Sequence, residues 1–204
     1  KMLLPRLLCA GSPVTRPLGH CHQWGGAAQT EADIERVVKR NLSMDVDLIK
    51  VMATGGVRTA GTNPSEAAFS EREIGVAVTV AHAHRRKVAA HAHGIDGIAA
   101  AVRAGVDTIE HCSWVDSNGR WGNDRASIVS EIAARDISVC PTVGAGWLKN
   151  VYLQQSQAPA LERMRKAGVK LIAGSDAGAI PNLAFHRLAD GLVCMAQMSG
   201  MSNA

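Results

Sequence analysis

Aromatic residues are scarce in this 204-residue chain: four Trp, two Phe and one Tyr. Proteins that bind single-stranded nucleic acid interleave rings with clustered basic residues. Here the 22 Lys and Arg are dispersed among 18 Asp and Glu, so no nucleic acid partner is expected. Long apolar runs are also missing. No window approaches the ~18 unbroken apolar residues of a membrane span, so no membrane partner is expected either. Pro5 and Arg6 break the opening apolar stretch before it reaches the length of a secretory h-region. Residues 3–10 read instead as a first strand. The five cysteines are odd in number, widely spaced and free of any Cys-x-x-Cys pair, which argues against a disulfide framework or a thiolate zinc site. Reduced thiols in a cytoplasmic protein are the expectation.

What is present is a steady alternation of strand and helix signals. Hydrophobic residues make up 47% of the chain, enough for a sizeable core. Thr30 stands as a helix N-cap before Ile34, Val37, Val38 and Leu42, and a strand follows over Val46 to Ala53. Ser70-x-x-Glu73 forms a capping box before a helix carrying Ile74, Ala77, Val78 and Ala81. That helix leads to the run Lys87 to Gly94, which delivers His91 and His93. A helix stopped by Gly105 leads to Asp107–His111, a run closing on a histidine. The unit recurs with strands at Ile137–Pro141 and Val169–Asp176, the latter after a helix marked by Pro159, Leu161 and Met164. A last helix after Asn182 places Leu188, Leu192 and Ala196 on one side.

With strands apolar on both faces and no hairpin turns, the sheet should be parallel, with helical crossovers. The fold class is α/β. Since no Gly-x-Gly-x-x-Gly opens a helix, a TIM-type (β/α)8 barrel suits the chain better than a dinucleotide-binding sheet. The count gives about six βα units, against eight strands and about 250 residues for a complete barrel. Residues 1–204 are therefore expected to form one partial barrel domain: either the chain is a fragment lacking the first barrel strands, or its gap is filled by a complementing segment or by a second subunit in a homo-oligomer.

Lys50 is the least expected residue, because it interrupts the apolar strand Leu48-Ile49-Lys50-Val51-Met52, where an unpaired ammonium is strongly disfavoured. Three explanations remain open: a buried ion pair, a Schiff-base lysine, and a lysine carboxylated by carbon dioxide. His91, His111 and Asp176 each end a strand, and with Lys50 they can converge at one barrel mouth. Imidazoles and carboxylates are suitable ligands for zinc, and two metals need a bridging anion. His93 shares a strand face with His91. His82 and His84 repeat the His-x-His spacing on a helix, where they lie about 200° apart and cannot ligate one ion together. His20 and His22 fall in a loop, from which one can reach substrate. Gly55-Gly56 reads as a tight turn, while Cys112 and Cys140 read as packing residues.

These motifs together resemble the metal-dependent amidohydrolase superfamily, in its imidazolonepropionase-like and prolidase-like branch. The resemblance rests on Ile49-Lys50-Val51-Met52-Ala53-Thr54-Gly55-Gly56, Val88-Ala89-Ala90-His91-Ala92-His93-Gly94, Ala104 to His111, and Ala173-Gly174-Ser175-Asp176-Ala177-Gly178. It implies that Lys50 is a carboxylated bridging lysine, that His91 and His111 are metal ligands on the fifth and sixth barrel strands, and that Asp176 on the eighth is ligand and proton shuttle. By the same resemblance, His93 and His20 contact substrate. Members carry a further His-x-His on the first barrel strand and a small β-sandwich. The chain shows neither, since His20-Cys21-His22 matches a later loop motif.

The expected activity is metal-dependent hydrolysis of C–N bonds in dipeptides, N-acyl amino acids or cyclic amides, using one or two divalent ions, zinc by preference. Two other readings compete: a catalytically inactive truncated barrel remnant and a Schiff-base aldolase using Lys50.

Overall fold

A computed structural model of the chain describes residues 6–178 and 187–201. Four parallel strands, β1 (Leu48–Met52), β2 (Lys87–Gly94), β3 (Thr108–Val115) and β4 (Ser138–Cys140), lie side by side in sequence order. Helical crossovers α1 (Glu31–Ser43), α2 (Glu71–Ala83), α3 (Ile95–Ala104) and α4 (Ala126–Ala134) alternate with them, followed by α5 (Val151–Lys166) and α6 (Leu188–Ser199). Single parallel bridges extend the sheet at both edges, Val14 beside Val51 and Leu171 beside Val139. Six parallel positions are thus present, the outer two reduced to bridges.

Helix starts follow the sequence closely. Thr30 and Ser70 each accept from the N3 backbone N–H, with the side chains of Asp33 and Glu73 returning the bond. Gly105 ends α3 at φ 83, a conformation that favours glycine. Ile49, Val51, Val88, Ala90, Ala92, Ile109 and Val139 pack with Ile34, Ile74, Ile98 and Ile132 of the helices into one apolar core. The opposite sheet face is polar, carrying Lys50, His91, His93 and Glu110 toward a cavity. Strand alternation therefore serves two tasks, with apolar side chains holding the helices and polar ones lining the site.

Several elements differ from their expected form. Residues 6–10 are exposed and non-strand, tethered to the segment before β1 by paired bonds between Cys9 and Asp47; residues 1–5 lie outside the described residues. The slot beside β1 is taken by Val14, whose N–H donates to Lys50 O and whose carbonyl accepts from Met52 N–H. The run toward Asp176 pairs only at Leu171, and Ile172 is already 41% exposed. Helix α5 begins at Val151, eight residues before Pro159, which it carries inside it. On α6 the buried side is Cys194, Met195 and Met198, while Leu188 and Leu192 are exposed. The buried side belongs to a helix that packs against α5.

Candidate metal centre

The site stands at the C-terminal ends of the parallel strands, around a cavity of about 720 Å³. Register brings its parts together: Met52 of β1 pairs with His91 of β2, and His91 pairs with Glu110 of β3. His91 and His93, two apart on β2, both face inward and are nearly fully buried, with ring centroids 4.7 Å apart.

On β3 the pattern breaks. In a regular strand, Glu110 and His111 would point to opposite faces, yet both line the cavity. A bulge makes this possible, because the register slips between Ala92 and Gly94, and His111 and Cys112 take left-handed φ values of 70° and 48°. The strand does not close on His111 as its apolar run suggested; it continues through the bulge to Val115. Left-handed backbone at non-glycine residues costs on the order of 1–3 kcal/mol each and concentrates at functional sites. Asp176 (φ 55) and Thr142 (φ 50), both lining the cavity, share it.

The imidazoles form a tight group. His111 lies 4.6 Å from His91 and 4.5 Å from His93, ring centre to ring centre, and His20 lies 4.4 Å from His91. One donor atom from each of His91, His93 and His111 falls within 4.8 Å of the other two. Burial first, then the neighbouring imidazoles, hold His91 and His111 well below the usual histidine range, while burial followed by the charge at His20 takes His93 down to about 3. All three are neutral near pH 7, the state in which an imidazole offers a lone pair to a cation.

Hydrogen bonds define which nitrogen each ring commits. His91 Nε2 lies 3.2 Å from the Gly55 carbonyl, which can only accept, so the proton is on Nε2 and Nδ1 carries the lone pair. The other three rings use Nδ1: His93 toward Ser113 Oγ at 2.9 Å, His111 toward Thr142 Oγ1 at 2.8 Å, and His20 toward Thr59 Oγ1 at 2.8 Å. His20 is carried by the loop after Val14 and is fixed there by the Thr15 hydroxyl, which donates to its carbonyl. Gly56 lies directly under its ring, where a Cβ would come within 2.3 Å of the imidazole. The Gly55-Gly56 pair is thus more than a turn, since it lets the loop pass beneath His20.

Lys50 projects from β1 into the same cavity, and its ammonium is held below the usual lysine range by burial, partly offset by Glu110, Cys140, Asp176 and Cys21. Asp176 also lines the cavity. Burial raises its carboxyl above the usual range, against the opposing pull of Lys50. The structure gathers all six expected residues, Lys50, His91, His93, His111, Asp176 and His20, around one cavity, and it brings His93 as close to His91 and His111 as those two are to each other. Sequence reasoning missed Glu110, Ser113, Thr142 and Trp121. Glu110 was visible beside His111, but period-2 alternation permits only one of the two to face inward. His82 bonds Asp107 at 2.8 Å on the surface, and His22 turns back to the Gly19 carbonyl. Cys112 and Cys140 are buried, and burial pushes the Cys140 thiol up to about 12.

Parallel α/β architecture with imidazoles gathered at strand C-termini defines a class of (β/α) enzymes whose sites occupy that face. Within that class the chain belongs to the amidohydrolase family, whose model matches residues 2–202. The ochratoxinase of Aspergillus niger is 33% identical over 164 residues, covering 75% of this chain and 34% of that protein. The crystal structure of A. niger ochratoxinase superposes with a TM-score of 0.77 at 26% identity, covering 97% of this chain and 51% of that one. A Xaa-Pro dipeptidase structure with bound methionine shares the fold at a TM-score of 0.81 and 21% identity, over 97% of this chain and 53% of its own. The chain thus spans about a third of the length of the curated relative and half that of the solved chains.

Proposed function

We propose that the chain carries the metal-holding and proton-handling part of a hydrolase that cleaves C–N bonds in small substrates such as dipeptides, N-acyl amino acids or cyclic amides. Family membership and the ochratoxinase relative support a hydrolase acting on amide bonds. The observation that carries the reading is the meeting of three neutral imidazoles, two buried and that of His111 half-buried, with Lys50 and Asp176 in one cavity.

The donor set fits a divalent cation such as zinc. Neutral nitrogens from His91, His93 and His111 converge, and carboxylate oxygen is available from Asp176. The chemistry supplied by one or two such ions at this place is Lewis-acid polarisation of the scissile carbonyl and activation of water. The chain's own residues do the rest. Asp176, whose carboxyl burial raises above the usual range, takes the proton from the attacking water and passes it to the leaving nitrogen. His20 and Trp121 line the space beside the imidazoles, where substrate would sit. His93 is close enough to serve as a ligand and to contact substrate.

Lys50 is the bridging group of this reading in its carboxylated form. Its amine is driven toward the neutral state by burial, and a neutral amine can add to carbon dioxide, forming a carbamate and releasing one proton. A carbamate beside Glu110 and Asp176 is repelled unless cations neutralise the cluster, so carboxylation and metal loading should rise together. The same neutral amine would also suit Schiff-base chemistry with a carbonyl substrate. Protein produced with added zinc and bicarbonate, assayed for bound metal and for chelator-sensitive cleavage of dipeptide and N-acyl amino acid panels, tests the proposal. Bound zinc that is lost in His111→Ala supports it. Borohydride trapping of a carbonyl substrate on Lys50 with chelator present would favour the aldolase reading instead.

A further inference from the structure

Both partners of one hydrogen bond in the cavity stand on left-handed backbone. His111 (φ 70) sits on the bulge of β3 and Thr142 (φ 50) in the loop after β4, and His111 Nδ1 meets Thr142 Oγ1 at 2.8 Å. For a β-branched residue such a φ is a genuine outlier, and strain of this kind persists where the surroundings over-determine it. Glycine at 142 would relieve the backbone but remove the hydroxyl. Ser113, which plays the equivalent part for His93, carries no positive φ.

A neutral imidazole exists as one of two tautomers. With its proton on Nδ1, His111 donates to the Thr142 hydroxyl and keeps a lone pair on Nε2. With the proton on Nε2, it accepts from the hydroxyl and has no lone pair to give. The hydroxyl therefore bears directly on whether this ring can bind a cation.

We propose that Thr142 is a positioning residue for His111: its hydroxyl accepts from Nδ1–H, selects the tautomer with a free Nε2, and so readies the His91, His93 and His111 group for a divalent cation before one arrives. This rests on the metal-binding reading of the same cavity. It adds that the left-handed backbone at Thr142 serves to present that hydroxyl to His111.

The test combines nitrogen NMR of the metal-free 204-residue chain with zinc competition against a chromophoric chelator. Thr142→Val keeps the branched shape and removes the hydroxyl; Thr142→Ser keeps the hydroxyl. The expected result is an Nδ1–H tautomer for His111 in wild type and Thr142→Ser, a shift toward Nε2–H in Thr142→Val, and zinc affinity weakened about 10–100-fold in Thr142→Val alone, as for loss of a ligand's outer hydrogen-bond partner. An Nε2–H tautomer in wild type overturns the proposal, as does a Thr142→Val variant with unchanged tautomer and affinity. If wild type takes up no zinc, the metal-binding reading fails, while its tautomer still decides the role of Thr142. The wild-type spectrum also decides if Thr142→Val does not fold.

Discussion

Two of the three His-x-His pairs of this chain, one on a strand and one at a helix end, share a spacing and little else. His91 and His93 stand on β2, face one cavity, and have their rings 4.7 Å apart among further imidazoles. His82 and His84 stand at the end of α2, exposed, one bonded to Asp107 and the other to the Val80 carbonyl of its own helix. The difference is the backbone period. Residues two apart coincide in direction on a strand and diverge by about 200° on a helix. A ligand motif is therefore a statement about secondary structure as much as about residue type, and burial then sets the protonation state that chemistry needs.

The sharpest way to break this contrast is substitution of the imidazoles themselves. His91→Ala and His111→Ala should each weaken zinc binding by more than the ~100-fold that follows loss of an outer hydrogen-bond partner. Equilibrium dialysis should show no change in His82→Ala or His84→Ala. Equal losses from both pairs would erase the distinction drawn here.

Acid should reveal the cavity imidazoles in the metal-free protein. The folded-state pKa values of His91, His93 and His111 lie below the ordinary 6.5, so the unfolded chain binds more protons as pH falls. Their neutral forms sustain full stability above about pH 6.5. That stability declines on acidification toward about pH 3 for His93, by up to about 1.4 kcal/mol per pH unit per imidazole. Urea unfolding between pH 7 and 4.5 should follow this slope, and His93→Gln should flatten it. A stability that rose on acidification would contradict the sign.

Smaller effects belong to the surface pair. Asp107 Oδ2 accepts both from His82 Nε2 and from the Val88 N–H at the start of β2, each at 2.8 Å. Asp107→Asn should lower stability by about 1–2 kcal/mol in thermal melts without changing metal affinity. His84→Ala, removing an exposed ring bonded to its own helix, should fall within about 0.5 kcal/mol of wild type. A loss of metal binding in either variant would tie the surface pair to the cavity.

Much of this was legible in the sequence because local rules dominate there. The capping residues Thr30 and Ser70, the stop at Gly105, the buried β2 run and the inward pairing of His91 with His93 all follow from propensity and period. The rest depended on long-range geometry. Nothing local marks the bulge that turns both Glu110 and His111 inward, nor the Thr142 hydroxyl that reaches His111 across 31 residues. The edges were least legible: Val14, not the run before it, pairs beside β1, and the expected last strand shrinks to a bridge at Leu171. On α6 the expected side of Leu188 and Leu192 is exposed, and Cys194, Met195 and Met198 are buried instead on a helix that packs against α5.

The imidazoles at the ends of β2 and β3 are proposed to form a site for a divalent cation. Cobalt titration of the 204-residue chain, followed by visible absorption, tests this directly. A saturating spectrum of nitrogen-coordinated cobalt is expected at stoichiometric ratio, abolished in His91→Ala and intact in His82→Ala. A spectrum that stays that of aqueous cobalt, or that survives His91→Ala unchanged, would contradict the assignment.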